Sequence, residues 1–294
     1  MLETTTLLYV PANRPERITS ACLSGASAIA VDLEDAVAVE AKASARAALP
    51  RVLRAHLRPG CVVAVRINAL DTGLAEDDLT AVGEVLASVD LVIVPKVAAP
   101  ADLCSVDTRL SELEAAHGVP AGRTRLLALI ETARGVLHAE EIASAASRVL
   151  TLGFGAADLG RELGIEPTAG SLGLVHARSQ VVLAAAAAGL PAPLDAPHLR
   201  LRDPEGVRRS AEHARALGFG GVQAIHPEQL GIVHEVFAPT AEETAWARVV
   251  EEAFSRAEAE GTASIRLADG TFVDYPVVRR ARRILSASPW GSGR

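Results

Sequence analysis

The chain has 294 residues, 49% of them apolar, 22% charged and only 3% aromatic. Its net charge of −7, with no basic block and few rings to stack on bases, argues against nucleic-acid binding. No apolar run approaches the ~20 residues of a membrane span, and residues 1–10 lack the basic start of a signal peptide. Cys22, Cys61 and Cys104 are too scattered for a disulfide frame or a zinc site, so a cytoplasmic chain with no membrane partner is expected.

Short apolar runs alternate with helix-like stretches. A strand is predicted over 5–10 and a helix over 15–24, opened by Pro15 and closed by Gly25. Strand 28–33 precedes a helix over 36–49 that Pro50 should stop. Strands 62–67 and 91–97 precede helices over 77–88 and 101–116. Strand 126–130 leads into a helix over 135–147. Strand 149–155 leads into a loop and then a helix over 174–188, in which the alanine run is filler. A weak seventh strand falls near 192–195, a helix over 200–217, and the eighth strand over 221–225. The runs are rich in Val, Ile and Leu and do not alternate, as in a parallel sheet covered on both faces. Eight such units in about 230 residues favour an α/β TIM (β/α)8 barrel over an open doubly wound sheet.

After Phe237 the pattern changes, giving a barrel domain over 1–237 and an extension over 238–294. Thr240 with Glu243 matches a capping box, opening a helix with an apolar stripe of Trp246, Val249, Val250, Ala253 and Phe254. Runs 264–267 and 271–273 flank Asp269-Gly270, a hairpin signal. Pro276 and the basic stretch 279–283 begin a last short helix, and 286–294 reads as a frayed tail.

Most strands end on a residue that can do chemistry, and a barrel gathers strand ends into one ring. Glu131 and Asp158 follow consecutive strands, and two carboxylates plus waters suit Mg²⁺ while leaving sites for a chelating substrate. The alternative is that Glu131 caps the next turn and Asp158 pairs with Arg161. Gly153 and Gly155 would let the backbone approach a ligand closely. Arg66 can grip a carboxylate or an enolate oxygen, or pair with Asp32 or Glu34. Glu34 and Asp35 can hydrogen-bond metal-bound water. Lys96 adds positive charge to the ring or pairs with Glu131. His226 reads first as a packed rim residue. No GxSxG elbow, P-loop, HExxH or dinucleotide fingerprint is present.

Seven motifs in order carry a resemblance: Tyr9-Val-Pro-Ala-Asn-Arg-Pro15, Val31-Asp-Leu-Glu-Asp-Ala-Val37, Val65-Arg-Ile-Asn68, Val94-Pro-Lys96, Leu129-Ile-Glu-Thr132, Gly153-Phe-Gly-Ala-Ala-Asp158 and Ala224-Ile-His-Pro227. The chain resembles the citrate lyase β-subunit-like members of the HpcH/HpaI aldolase superfamily, which include malyl-CoA and citramalyl-CoA lyases. The resemblance implies a TIM barrel assembled as homotrimers or hexamers. It also implies Mg²⁺, or Mn²⁺, at Glu131 and Asp158, and Arg66 orienting a 2-oxo acid and its enolate. Asp274 on a C-terminal lid would act as acid/base in a neighbouring subunit's site. Arg14 and Lys42, with Arg17, are candidates for the CoA phosphates. Ala12 stands where glycine is usual, Val222 where many members carry lysine, and residues 193–197 replace a more acidic stretch.

The resemblance thus implies a lyase that cleaves or forms a 3-hydroxyacyl-CoA such as citramalyl-CoA or malyl-CoA, giving acetyl-CoA and a 2-oxo acid. A citryl thioester lyase subunit acting on an acyl-carrier protein and a malyl-CoA thioesterase are the alternative enzymes. A non-catalytic binding subunit is disfavoured by intact Glu131, Asp158, Arg66 and Asp274.

Overall fold

The computed structural model describes residues 5–166 and 171–286. Residues 1–4, residues 167–170 of the loop expected over 156–173, and residues 287–294 of the expected tail lie outside the described residues. Contacts group the chain into two compact units, Met1–Val233 and His234–Arg294.

In the first unit eight parallel strands close into a barrel in sequence order. They are β1 (Thr6–Pro11), β2 (Ala28–Asp32), β3 (Val63–Arg66), β4 (Leu91–Val94), β5 (Arg125–Ile130), β6 (Val149–Phe154), β7 (Leu194–Asp195) and β8 (Gly221–Ala224). The (β/α)8 expectation holds. The helices are α1 (Pro15–Cys22), α2 (Val39–His56), α3 (Ala75–Gly83), α4 (Pro100–His117), α5 (Ala133–Leu137), α6 (Ala139–Ala143), α7 (Ala156–Leu163), α8 (Leu172–Ala187), α9 (Pro204–Leu217) and α10 (Glu228–Phe237). Among the described residues no helix is long and apolar enough to cross a membrane.

Strand side chains alternate between the two faces of a sheet. Leu7, Ala30, Ala64, Ile93, Leu129 and Leu194 all point inward and pack as one buried cluster in the barrel. Two residues further along, the same parity brings Tyr9, Asp32, Arg66 and Glu131 to the carboxyl end. The registry completes the arrangement, since Asp32 lies directly beside Arg66 on the neighbouring strand. An aliphatic plug below therefore carries a polar layer above.

Three helical expectations are corrected. The second helix does not stop at Pro50, which lies inside α2. A proline there removes one backbone hydrogen bond, but Leu49, Pro50, Val52 and Leu53 are all buried in the packing of that helix, and burial outweighs the loss. The helix expected over 135–147 is divided into α5 and α6, because His138 leaves helical geometry (φ −105°). The loop expected after β6 opens with α7, whose Ala156, Leu159 and Gly160 form its buried face. Gly155 and Gly160 hid that short helix from a propensity reading.

The second unit contains α11 (Ala241–Ala259), β9 (Ser264–Arg266), β10 (Phe272–Asp274) and α12 (Tyr275–Ser286). Both bonds of the Thr240/Glu243 capping box form, and β9 and β10 pair antiparallel. Gly270 takes φ 90° in their turn, a backbone setting that favours glycine. The buried stripe of α11 is Ala247, Val250, Phe254 and Ala257, of which the first three pack with Val273, Val278 and Ala281. Val249, expected in that stripe, is 55% exposed.

Candidate active site

A cavity of about 840 Å³ opens at the carboxyl end of the barrel. Asp32, Arg66, Glu131, Gly155 and Asp158 line one side, and Arg178, Asp195, His198 and His213 the other, with Tyr9 and Gln223 also in the wall.

Asp32 is fully buried and organises the first side. Its Oδ1 and Oδ2 accept from Arg66 Nε at 2.7 Å and Nη2 at 2.6 Å. They also accept the amides of Glu34 and Ala36 at 2.9 and 3.0 Å, which turns the chain sharply after β2. The Arg66 guanidinium lies 4.8 Å over the Tyr9 ring. The pairing of Arg66 with Asp32 is thus realised, and it occupies the side-on edge of the guanidinium. Nη1 lies 2.9 Å from Glu34 Oε2, and this buried oxygen has no hydrogen-bond partner among the described residues. Asp35 is exposed, 3.9 Å from the same nitrogen.

Lys96 takes φ 52°, left-handed geometry that costs a residue with a Cβ about 1–2 kcal/mol. In that setting its amide donates to Glu131 Oε1 at 2.9 Å while its ammonium donates to Glu34 Oε1 at 3.2 Å. The expected Lys96–Glu131 ion pair is therefore a backbone contact, and the ion pair goes to Glu34.

Glu131 is 5% exposed. Burial first, then the charge of Glu34, push its carboxyl up to about 8. Burial, with Asp35 beside it, lifts Glu34 to about 7 against the pull of Arg66 and Lys96. Gly155 shapes this pocket, since a Cβ there would stand 2.2 Å from Glu131 Oε2. Gly153 makes the same allowance for Leu129 and Leu127. The two glycines make room for neighbouring side chains, where the sequence suggested room for a ligand.

Asp158, in the first turn of α7, pairs with Arg161 at 2.9 Å and faces the cavity. Asp32, Glu34, Glu131 and Asp158 outnumber Arg66 and Lys96 in this layer. Glu131 and Asp158 are the carboxylates that could hold a hard divalent cation. Among the described residues no group of three or more His, Cys, Asp or Glu gathers as a metal cage.

The other expected residues lie apart. Arg14 is exposed at the start of α1, and Arg17 is exposed within that helix. Lys42 donates to the carbonyls of Leu33 and Glu34 and to Asn68 Oδ1. His226 sits 3.6 Å from Glu228 at the mouth of β8. Asp274 belongs to the second unit, where its Oδ1 accepts the Val277 amide at 3.3 Å at the start of α12.

Sequence reasoning passed over the second side of the cavity. Arg178 Nε donates to both oxygens of Asp195 at 3.1 and 3.2 Å, and its guanidinium lies 5.1 Å over Phe154. Burial raises the Asp195 carboxyl against the pull of Arg178. Gln223 accepts from Tyr9 Oη at 2.9 Å and donates to the Phe154 carbonyl at 2.9 Å. The inward parity of Leu7/Tyr9 was legible in β1. Arg178 was hidden in an alanine-rich helix and Asp195 in a two-residue strand.

The HpcH/HpaI aldolase/citrate lyase family matches residues 5–227 of the chain. The citrate lyase subunit beta of Leuconostoc mesenteroides subsp. cremoris is 35% identical over 280 residues, covering 95% of this chain and 91% of the relative. The L-malyl-CoA/beta-methylmalyl-CoA lyase of Rhodobacter capsulatus is 33% identical over 296 residues, covering 95% and 92%. Among solved structures, the CitE protein of Mycobacterium tuberculosis in complex with magnesium, acetoacetate and coenzyme A is 33% identical with a TM-score of 0.75, covering 96% of this chain and 97% of that one. The chain therefore belongs to the HpcH/HpaI aldolase/citrate lyase family and is a lyase of that family.

Proposed function

We propose that this chain is a Mg²⁺-dependent carbon–carbon lyase. It cleaves or forms a 3-hydroxyacyl-CoA such as citramalyl-CoA or malyl-CoA, with acetyl-CoA and a 2-oxo acid as the other side of the reaction. The observation that carries this reading is the excess of buried carboxylate around Glu131. Desolvated carboxylates without matching cations stay protonated or bind a metal. Glu131 and Asp158 fit a hard divalent ion by donor type, and Glu34 Oε2, ion-paired with Arg66 but making no hydrogen bond, can accept from a water in its shell. Relatives support the choice of ion and thioester, since the Mycobacterium tuberculosis protein binds magnesium and coenzyme A.

When bound, Mg²⁺ acts as a Lewis acid on a chelated hydroxy acid, lowering the pKa of its hydroxyl. Arg66, fixed by Asp32 and stacked on Tyr9, presents Nη1 as a preorganised positive charge. There it stabilises the enolate that develops on the thioester as the C–C bond breaks. Glu34, itself held by the Lys96 ammonium, keeps that guanidinium from swinging away. Asp274 protonates the enolate carbon to release acetyl-CoA, passing on the proton that the substrate hydroxyl gives up as the C–C bond breaks, and the same transfer runs in reverse in the condensing direction. We assign it from the C-terminal unit of a neighbouring copy, in a homotrimer or hexamer working in the cytoplasm. Arg14, exposed at the start of α1, is our candidate cation for the CoA phosphates.

A citryl thioester lyase subunit is a second reading, favoured by the similarity to citrate lyase beta subunits. One assay separates the possibilities. Purified protein is incubated with Mg²⁺ and a panel of CoA and acyl-carrier thioesters, with and without a chelator, while acetyl-CoA, free CoA and 2-oxo acid are measured. The lyase gives acetyl-CoA plus pyruvate or glyoxylate, and the chelator abolishes both. Free CoA with intact malate would instead mark a thioesterase. Turnover of acyl-carrier thioesters alone would mark the subunit.

A further inference from the structure

The family resemblance makes Lys42 a candidate cation for the CoA phosphates, yet the structure gives it a different task. An ammonium group carries three hydrogens, and Lys42 has three acceptors within reach inside the protein. Its Nζ lies 3.0 Å from the Leu33 carbonyl, 2.6 Å from the Glu34 carbonyl and 2.6 Å from Asn68 Oδ1. Asn68 extends the contact. Its Nδ2 donates to the Leu33 carbonyl at 3.1 Å and to Asp78 Oδ2 at 2.7 Å, and its amide donates to the same oxygen at 2.7 Å. Arg46 Nε closes the chain at 2.6 Å from Asp78 Oδ1.

These bonds hold the turn after β2 from one side. Asp32 holds it from the other, through the Glu34 and Ala36 amides. Lys42 grips the carbonyls of that turn and Asp32 grips its N–H groups, so the backbone that carries Glu34 is fixed in both hydrogen-bonding senses. Glu34 is 4% exposed and reaches Arg66 and Lys96 from this turn. A turn of 32–36 with freed carbonyls would rotate and carry the Glu34 carboxylate away from both cations.

We infer that Lys42 is a positioning residue, the outer half of a clamp on the 33–36 turn that sets the reach of Glu34 into the site. The kinetic consequence rests on the lyase reading above, whereas the clamp itself does not. Lys42→Met should lower kcat by roughly 10- to 100-fold, the usual loss when a supporting contact behind a metal site is removed, with KM for the CoA thioester unchanged. Lys42→Arg should stay impaired, because a planar fork does not fit three converging acceptors. Hydrogen exchange gives a readout independent of turnover, and the Glu34 and Ala36 amides should exchange faster in both folded variants.

A phosphate contact makes the opposite predictions. KM would rise with kcat intact, Lys42→Arg would retain activity, and a thioester lacking the nucleotide phosphates would not distinguish wild type from variant. Any of those results, or unchanged exchange at Glu34 and Ala36, overturns the clamp. A wild-type protein with no lyase turnover would remove the proposed function but leave the exchange test standing.

Discussion

At the amino-terminal end of the barrel, Arg148 donates to Glu114 Oε1 at 2.8 Å and Oε2 at 2.6 Å, to Ser111 Oγ at 2.9 Å and to the Thr124 carbonyl at 3.0 Å. Glu114 also accepts the amides of Gly122 and Thr124. At the carboxyl end, Glu34 and Glu131 are buried to the same degree but lack such a set of partners. The contrast is electrostatic. Burial would raise Glu114, yet Arg148 and the two amides hold it below the ordinary carboxylate range. Glu34 and Glu131 are pushed to about 7 and about 8. Both ends bury carboxylates, but Arg148 and two amides satisfy Glu114 fully, whereas Asp32 and Glu34 share Arg66, Lys96 completes Glu34, and Glu131 has no cation of its own. The second holds carboxyl groups that burial keeps protonated and that a bound cation would ionise, as expected where stability yields to function.

The largest expected effect separates the two ends. Glu131→Gln keeps the shape of the side chain and removes its charge. Turnover should fall by roughly 10²- to 10³-fold, in line with loss of a principal electrostatic group, while the melting temperature in a chelator is not reduced. Retained turnover, or a destabilised protein, would break the comparison. Arg148→Met should do the reverse. Leaving Glu114 buried without its cation is expected to cost roughly 3–5 kcal/mol, read as a lower denaturant midpoint. Turnover per folded molecule should be unchanged, and a selective loss of turnover would show that the amino-terminal end is not a purely structural charge site.

Much of the barrel was legible because aliphatic runs such as Val62–Val65 and Leu91–Val94 leave no polar face. The inward parity that lifts Asp32, Arg66 and Glu131 to the rim follows from strand period alone. What escaped was tertiary in origin. Pro50 reads as a helix stop until packing around Leu49, Val52 and Leu53 is known. Lys42 reads as a surface cation, since nothing in its neighbours announces carbonyls from the turn after β2. Arg178 and Asp195 are distant in sequence and come from a helix without a polar stripe and a strand too short to score. Asp274 was reached through family resemblance, and as a residue of β10 it is an ordinary hairpin exit.

The direct test of the carboxyl end is Mg²⁺ binding itself. Glu34 and Glu131 are raised from 4.5 to about 7 and about 8. The folded chain therefore holds more protons than the unfolded chain from about pH 4.5 to 8, and without metal these groups make stability fall as pH rises through that window. A metal that requires the deprotonated carboxylates reverses the trend by displacing the protons. Calorimetric titration of Mg²⁺ into the wild-type protein should show affinity increasing from about pH 6 to 8.5 with proton release, and Glu131→Gln should abolish the binding. Binding that ignores pH, or that survives in Glu131→Gln, would contradict a metal site built on the unneutralised carboxylate of Glu131.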